Sequence, residues 1–305
     1  MICAVIDIGS NSVLLIVSNQ SGNIVLDIDE VTKLGEGLSK TPFLRPEAIK
    51  RTVDAVCKFY RLARERGATR VIAVGTMALR VAKNSEEFLQ EVKNQCDLEV
   101  KILSGEEEAR LSYEAAVTSL VNIDQPVAVF DVGGKSTEII IGVGKVPKYL
   151  KSVDIGALTL LEISNIDFKK SVSEIQLKEL MRRAEHFLSP FISQARVEKT
   201  IGIGGTVTNL AAIKLGLTKY EGNRVHGLKI SYTEIISILK ILSSQPVELR
   251  RMVSGLQPER AELIIPGLSI VLAILNLFGQ DELIVSDWGL RHALLSKCHE
   301  RAPNR

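Results

Sequence analysis

"DIGSNSVLLI" (7–16) and "DVGGKSTEII" (131–140) are two versions of one pattern, and together they decide the fold that the sequence predicts. In each, an apolar run leads to an aspartate and a short Gly- and Ser-containing turn, and a second apolar run follows. Two β-rich runs separated by so few residues form a β-hairpin. Because the hairpin occurs twice, the chain is predicted to consist of two related halves.

The composition is that of a globular protein with packed cores. Of the 305 residues, 46% are hydrophobic and 24% are charged. This length suggests two domains, and one large α/β domain is the alternative. The net charge is only +2 and the Lys and Arg residues are scattered, so nucleic acid is not an expected partner. An anionic ligand would have to be attracted by a local pocket.

Two features bear on the location of the protein. The most apolar segment (263–279) is interrupted by Pro266 and Gly267, so it is predicted to be a buried helix, and no membrane is expected as a partner. The four cysteines form no CxxC pair and do not cluster with the four histidines, so each is expected to act as a small apolar residue. Reduced cysteines indicate a cytoplasmic location.

Short β-rich runs alternate with longer helical patterns, which predicts an α/β fold whose sheets are covered by helices. The predicted strands are 2–8, 12–18, 23–30, 70–75, 98–103, 126–132, 137–143, 199–204 and 282–286. The predicted helices are 46–66, 84–95, 106–120, 173–195, 206–215, 233–243, 267–278 and 288–300. Because each repeated pattern is a hairpin, neither sheet is expected to be purely parallel.

A polar stretch that ends in proline, "VNIDQP" (121–126), directly precedes the second pattern. It is the predicted boundary between an N-terminal domain (1–122) and a C-terminal domain (123–305) that face each other across a cleft. The final helix, at about 288–305, packs either within its own domain or back on the first one, and the sequence leaves both arrangements open.

The repeated turns have the composition of phosphate-binding loops. Glycine lets a ligand approach the main chain closely, and successive N–H groups in such a turn form an anion-binding nest. Asp7 and Asp131 would repel phosphate, so they are predicted to hold a divalent cation or to orient water. The alternative for each copy is an ordinary hairpin turn. The predicted phosphate-binding residues of the two turns are Gly9, Ser10, Asn11, Ser12, Gly133, Gly134, Lys135 and Ser136.

A third Gly-rich loop, "GIGGT" (202–206), lies between a predicted strand and a predicted helix. The N-terminus of a helix offers unpaired N–H groups and the positive end of the helix dipole to an anion. Gly204, Gly205 and Thr206 are therefore further candidates for phosphate binding, although Thr206 could instead cap the helix.

Arginine side chains are the other candidates for holding a phosphate chain, since the guanidinium group fits two phosphate oxygens at once. Thr76 and Arg80 in "GTMALR" lie just past a predicted strand end, where ligand-binding residues cluster in α/β folds. Arg260 is a further candidate.

Motifs along the whole chain resemble the exopolyphosphatase/guanosine pentaphosphate phosphatase family in its short, two-domain form. They are "AVIDIGSNSVLLIV", "VGTMALR", "SGEEEAR", "FDVGGKSTEIIIG", "GIGGT", "RVHG" and "VSDWGLR", in this order. The family belongs to the actin-like ATPase superfamily. The resemblance implies two ribonuclease-H-like domains with mixed sheets flanked by helices, and an active site in the interdomain cleft.

The resemblance also implies a reaction and a set of roles. Members of the family release terminal phosphate from inorganic polyphosphate, or the 5′ γ-phosphate from guanosine pentaphosphate, with Mg²⁺ or Mn²⁺. By resemblance, Glu108 would activate the attacking water, and Asp131 and Glu138 would act in catalysis and hold the metal. Asp7 would join them as a metal ligand. Polyphosphate or guanosine penta- or tetraphosphate is thus the expected partner, and a homodimer would lengthen a polyphosphate track.

The residues themselves favour Glu108 over its neighbours. Ser104 and Glu107 have the spacing of a capping box, and Glu106 lies in the first turn, where an acidic residue favours the helix dipole. Glu108 is left without a local structural role. A solvent-exposed helix position is the alternative.

The sequence departs from the family pattern in the two turns. Lys135 stands where relatives have a third glycine, and Leu14 stands where many have arginine. If that glycine needs positive φ, Lys135 costs about 1 kcal/mol. The favoured alternative is that the backbone tolerates Lys135 and that its ammonium adds charge for phosphate.

The leading hypothesis is therefore an exopolyphosphatase, with guanosine pentaphosphate 5′-phosphohydrolase as the alternative. A kinase of the same superfamily and a non-catalytic sensor of polyphosphate or an alarmone are the remaining classes. Phosphate release separates the enzymes from the sensor, and transfer from ATP to an acceptor identifies the kinase.

Overall fold

The structure is a computed structural model that describes residues 1–120, 125–192 and 196–300. Contacts divide the chain into two compact units: unit 1 is Met1–Ser112 with the segment from Leu290 onward, and unit 2 is Tyr113–Gly289. This division lies between Ser112 and Tyr113, inside a helix, whereas the sequence placed the border at 122/123. Most of the predicted boundary segment (121–126) lies outside the described residues.

The elements are numbered in chain order. The strands are β1 (Cys3–Ile8), β2 (Ser12–Ser18), β3 (Ile24–Val31), β4 (Arg70–Gly75), β5 (Val100–Ile102), β6 (Pro126–Val132), β7 (Thr137–Val143), β8 (Val146–Val153), β9 (Lys199–Ile203), β10 (Lys229–Ser231) and β11 (Glu282–Val285). The helices are α1 (Pro46–Glu65), α2 (Met77–Val81), α3 (Ser85–Cys96), α4 (Gly105–Ser119), α5 (Ala157–Ile163), α6 (Glu174–Ile192), α7 (Gly204–Leu215), α8 (Gly222–Val225), α9 (Tyr232–Ser243), α10 (Val247–Arg250), α11 (Ile264–Phe278) and α12 (Leu290–Glu300). All the predicted elements are present within the described residues, and the unpredicted ones are short or irregular in pattern. The predicted helix ends at 193–195 and 301–305 lie outside the described residues.

The sheets of the two units have the same plan. In unit 1 the strand order is β3-β2-β1-β4-β5, and in unit 2 it is β10-β11-β9-β6-β7-β8. Each sheet begins with three consecutive antiparallel strands, β1 to β3 or β6 to β8, and the first strand of each group then pairs in parallel with β4 or β9. The doubled sequence pattern therefore corresponds to a doubled fold, and both sheets are mixed, as predicted.

Each unit has its own apolar core. In unit 1 the buried residues of β1 and β2 pack with the apolar face of α1, which includes Val53, Val56 and Phe59. In unit 2, α11 is buried along almost its whole length, so the segment 263–279 is the buried helix that the sequence predicts. Pro266 lies in the first turn of α11, where its missing N–H leaves no helical hydrogen bond unmade.

The cysteines correct an expectation. They form two disulfides, Cys3–Cys298 and Cys57–Cys96, which close sequence separations of 295 and 39 residues. The prediction that each cysteine acts as a separate apolar residue is wrong, because the fold brings together partners that are remote in sequence. The inference of a reducing cytoplasm loses the support that it drew from unpaired cysteines.

The final helix belongs to unit 1. Helix α12 packs on β1, β2 and β4, and the Cys3–Cys298 disulfide joins it to β1. Arg291 of α12 donates to both carboxylate oxygens of Asp27 in β3, at 2.9 to 3.2 Å. Of the two arrangements that the sequence left open for this helix, the contacts correspond to packing on the first half of the chain.

Across residues 1–120, 125–192 and 196–300, none of the helices combines the length and the apolar character that a membrane crossing requires.

Candidate functional site

The two repeated turns have the same backbone geometry. The N–H of Gly9 donates to the carbonyl of Ser12 at 2.9 Å, and the N–H of Gly133 donates to the carbonyl of Ser136 at 3.0 Å. A Cβ atom added to either glycine would lie 3.1 Å from that serine carbonyl oxygen. Residues 9–12 (the first turn) and 133–136 (the second turn) are therefore copies of one structure.

A separate segment of the chain binds the carbonyl groups of the first turn. The N–H of Gly35 donates to Ser10 at 2.8 Å, and the N–H groups of Thr32 and Lys33 both donate to Asn11 at 2.9 Å. The segment 32–35 thus holds two consecutive carbonyl groups of the first turn on one side.

The second turn is held in the same way by the start of α5. The N–H of Ala157 donates to Gly133 at 2.9 Å, and that of Leu158 donates to Gly134 at 2.7 Å. The hydroxyl of Thr159 donates to the carbonyl of Lys135 at 3.0 Å. The segment 156–159 therefore binds three consecutive carbonyl groups of the second turn.

These bonds orient the N–H groups of both turns. The peptide bonds of the described residues are trans, so a carbonyl that faces one side places the next N–H on the opposite side. The N–H groups of Asn11 and Ser12 in the first turn, and of Gly134, Lys135 and Ser136 in the second, consequently face away from the supporting segments. Consecutive N–H groups with a common direction are what an anion nest requires.

Asp7 in unit 1 has a carboxylate oxygen without a hydrogen-bond partner. Its Oδ1 is buried and unpaired among the described residues. Burial raises the pKa of Asp7 from 3.8 to about 6, against the smaller opposing effect of the Arg291 charge. A buried carboxylate oxygen without a donor fits a bound cation, which would supply the missing partner.

Asp131 and Glu138 in unit 2 occupy facing positions on β6 and β7, so their side chains lie on the same side of the sheet. Glu138 is 2% exposed and accepts a hydrogen bond from the Ser152 hydroxyl at 2.7 Å. Asp131 also pairs in register with Ile203, at the end of β9. A Cβ on Gly204, whose φ is +80°, would overlap Oδ1 of Asp131. Gly204 therefore makes the room in which this carboxylate lies.

Helix α7 begins at Gly204, directly beside Asp131. Among the described residues, no side chain caps this helix N-terminus, so its first N–H groups are available to an anion. Thr206 is not the cap, because its hydroxyl donates to the carbonyl of Val132 at 3.1 Å. The guanidinium of Arg260 lies against Gly205, where a Cβ would overlap it. The structure thus brings the third Gly-rich loop and Arg260 together.

The position of Arg260 is fixed by two residues that the sequence did not single out. Its Nε donates to Oε1 of Gln257 at 2.6 Å, and Asn209 Nδ2 donates to the same oxygen at 3.1 Å. Asn209 Nδ2 also donates to the carbonyl of Gly205 at 2.9 Å. The available signal in the sequence was Asn209, an amide-bearing residue in the first turns of the helix that follows the third Gly-rich loop.

Glu108 in unit 1 is paired with Arg80. Nη1 of Arg80 donates to Oε2 of Glu108 at 3.0 Å and to the carbonyl of Leu103 at 2.9 Å. Arg80, which the sequence predicts to bind phosphate, therefore also holds the glutamate that the resemblance implies as catalytic. Thr76 precedes Arg80 by one helical turn, and its hydroxyl donates to the carbonyl of Ile8 at 3.4 Å. The start of α2 is thus tied to the end of β1.

The neighbours of Glu108 behave as expected from their spacing. The hydroxyl of Ser104 accepts from the N–H of Glu107 at 3.1 Å, which is half of the predicted capping box. The carboxylate of Glu107 accepts from Lys101 at 2.6 Å, and Glu106 is exposed.

The backbone tolerates Lys135, as the favoured alternative predicts, and the side chain has a partner that the sequence did not reveal. The non-glycine residues with positive φ in the described chain are Lys33, Asp97 and Asn165, so Lys135 carries no such strain. Its side chain is 5% exposed and forms an ion pair with Glu162 of α5. The ammonium therefore lies in contact with a carboxylate of its own unit.

Comparisons with known proteins agree with this geometry. The profile of the Ppx/GppA phosphatase family matches residues 15–301. A crystal structure of the Aquifex aeolicus member of that family is 34% identical, with a TM-score of 0.81, over 100% of this chain and 99% of that one. The predicted fold class, two mixed α/β sheets flanked by helices, is confirmed.

Two curated relatives carry different names. A guanosine-5′-triphosphate,3′-diphosphate pyrophosphatase of Photobacterium profundum is 30% identical over 96% of this chain, which spans 58% of that relative's length. Exopolyphosphatase 2 of Mycobacterium tuberculosis is 27% identical over 93% of this chain and 94% of its own length. The resemblance seen in the motifs is confirmed at the level of the family.

Proposed function

The chain belongs to the Ppx/GppA phosphatase family, and from this premise we propose that it is an exopolyphosphatase, a hydrolase that releases orthophosphate from the end of inorganic polyphosphate. The observation that carries the proposal is the doubled turn. In each unit a separate segment binds consecutive carbonyl groups of the turn, so that consecutive N–H groups share one direction. A chain of phosphates, with negative oxygens along its length, is the ligand that several such nests suit.

Glu108 is proposed to accept a proton from the attacking water. The water oxygen bonds to the terminal phosphorus, the bridging P–O bond breaks, and the shortened chain leaves with the bridging oxygen. The ion pair with Arg80 holds the Glu108 carboxylate in one orientation, which a general base needs. That residues of both units act on one substrate molecule stays a prediction of the sequence.

A divalent cation, Mg²⁺ or Mn²⁺, is part of the proposal. The facing carboxylates of Asp131 and Glu138 would hold it, and the unpaired Oδ1 of Asp7 is a further candidate. The cation would neutralise charge on the phosphate oxygens. The N–H groups at the start of α7 and the Arg260 guanidinium would then bind the remaining oxygens of the chain.

Polyphosphate is placed ahead of guanosine pentaphosphate because the relative that matches over 94% of its own length is named an exopolyphosphatase. Guanosine pentaphosphate is the second candidate, since relatives of about 30% identity are named for that substrate. Both reactions use the same attack on a terminal phosphorus.

The test is phosphate release by the purified protein with Mg²⁺ from long-chain polyphosphate, guanosine pentaphosphate and ATP. Glu108→Gln should lower release by about 10² to 10⁴-fold, because the amide cannot accept the proton of the water. Glu106→Gln is the matched control, since Glu106 lies exposed in the same turn of α4 and should not matter. The substrate that gives the highest kcat/KM assigns the specificity.

Two outcomes would overturn the proposal. Binding of polyphosphate without phosphate release would leave a sensor, and transfer of phosphate from ATP to an acceptor would indicate a kinase.

A further inference from the structure

Lys135 is buried although it lies in a turn. Its side chain is 5% exposed, and that of its partner Glu162 is 10% exposed. A charged group that is removed from water is tolerated only when it is paired and hydrogen-bonded. Burial of the Lys135–Glu162 pair in unit 2 therefore has a substantial desolvation cost. The pair is expected to have a role that an exposed lysine could not perform.

The pair connects the second turn to the same helix that binds its carbonyl groups. At its start, α5 donates N–H groups to Gly133 and Gly134. At its other end, the last turn of α5 carries Glu162, which binds the side chain of Lys135. The second turn is thus attached to both ends of one short helix.

The backbone of the second turn is in close contact with the backbone at the start of α5. Gly156 is the N-cap of α5, and a Cβ on it would lie 2.5 Å from the carbonyl carbon of Gly134 and 2.6 Å from the nitrogen of Lys135. Because the backbones are this close, a side-chain tie at Lys135 fixes the direction of the peptide groups beside it.

We propose that Lys135 and Glu162 form a positioning pair that holds the second turn in its anion-binding shape, so that Lys135 presents its backbone N–H and not its ammonium to phosphate. The proposal rests on the function proposed above. It also gives a structural reason for the lysine that stands where relatives have a third glycine. The ion pair fixes the conformation of the turn, which a glycine would leave freer.

A double-mutant cycle separates this role from direct phosphate binding. Lys135→Met and Glu162→Gln should each lower kcat about tenfold and leave KM within about twofold, because a misdirected nest affects the transition state. The double variant should be no worse than either single variant. If the Lys135 ammonium binds phosphate and Glu162 restrains it, Glu162→Gln would instead lower KM, and Lys135→Met would raise it.

An exposed ion pair of the same unit is the matched control. Lys229 and Glu282 pair at 2.8 Å with side chains 64% and 49% exposed. Lys229→Met and Glu282→Gln should leave kcat unchanged, since neither residue contacts the turn. Thr159→Val is a milder variant that removes only the hydroxyl bonded to the Lys135 carbonyl. It should also lower kcat.

Hydrogen exchange gives a readout that does not depend on activity. In Lys135→Met and Glu162→Gln, amides of residues 131–138 should exchange about tenfold faster, while those of residues 7–14 should keep their rates. If the wild-type protein releases no phosphate, only the proposed function is refuted. Hydrogen exchange would still test the positioning role of the Lys135–Glu162 pair. Unchanged exchange in folded variants, or additive losses in the double variant, would overturn the positioning role.

Discussion

The first and second turns share a backbone and differ in the side chains around it. Both glycines bond to a serine carbonyl three residues on, and both turns have their carbonyl groups bound by a separate segment. Opposite Asp7, however, β2 carries Leu14, whereas opposite Asp131, β7 carries Glu138. At the third position of the turn, the first copy has the buried amide of Asn11 and the second has the buried ammonium of Lys135.

The two copies of this structure therefore differ in the side chains that could bind a cation. The second turn has the paired carboxylates that a divalent cation prefers, and the first has a single buried carboxylate with an unpaired oxygen. The backbone geometry of the turn is therefore the shared property, and under the proposed function the divalent cation would be held mainly by unit 2. Variants of each unit test this difference, and the last of them change the two turns in the same way.

The largest effect is expected from removal of the two disulfides. Both lie in unit 1, which also contains the first turn. Cys298→Ser should lower the free energy of unfolding of the whole chain by about 5 kcal/mol, because the Cys3–Cys298 bond closes a loop that spans 295 residues. Cys57→Ser opens a loop of 39 residues and should cost about 2 kcal/mol less. Denaturant unfolding with and without a reductant measures both losses. Equal stability of the oxidised and reduced proteins would contradict this expectation.

The next effect concerns the carboxylate beside the second turn. Gly204→Ala should lower kcat/KM about 100-fold, since the added Cβ overlaps Oδ1 of Asp131 and displaces it. Gly216→Ala is the control at the other end of α7, because its φ is +61° but nothing lies within 4 Å of its Cβ. Both variants strain the backbone by about 1 kcal/mol, and only the first should lose activity. Similar activity losses in the two variants would mean that backbone strain, and not Asp131, is responsible.

The raised pKa of Asp7, just before the first turn, predicts that stability depends on pH. Burial raises this pKa from its ordinary 3.8 to about 6, so the folded protein binds the proton more tightly than the unfolded chain. Stability should therefore fall as pH rises from 3.8 to about 6 and stay lowered above that. In a chelator at pH 7, Asp7→Asn should raise the free energy of unfolding by about 2 kcal/mol. If Asp7 holds the cation, Mg²⁺ should raise the free energy of unfolding of the wild-type protein more than that of the variant. A variant that is less stable than wild type at pH 7 would contradict the burial of an unpaired charge.

The parts of the fold that the sequence predicts are those that local pattern determines. Each hairpin is encoded within about ten residues, and the long helices have apolar spacing that is readable without a partner. The site residues in the turns and in "GIGGT" could be named for the same reason, because a strand, a glycine and a polar residue stand next to each other in the sequence.

The parts that the sequence does not predict depend on partners remote in the chain. The supporting helix α5 has seven residues, which is too short for a helical period to be recognised. The pairing of Arg80 with Glu108 depends on where the five-residue helix α2 is placed, and that of Cys3 with Cys298 on the packing of α12. The partner of Lys135 could not be identified from the sequence for the same reason, since Glu162 stands 27 residues away.

The smallest effect tests whether the two turns are equivalent. Gly9→Ala and Gly133→Ala each place a Cβ 3.1 Å from a serine carbonyl oxygen, a contact that a shift of a few tenths of an ångström relieves. Neither glycine has positive φ, so each variant should lose about 1 kcal/mol or less of its free energy of unfolding, and the loss should be the larger for Gly133→Ala. Denaturant midpoints measure them. The second turn is held at three carbonyl groups and by an ion pair, so it has less freedom to shift. A larger loss for Gly133→Ala would therefore show that the Lys135–Glu162 pair makes it the more rigid copy.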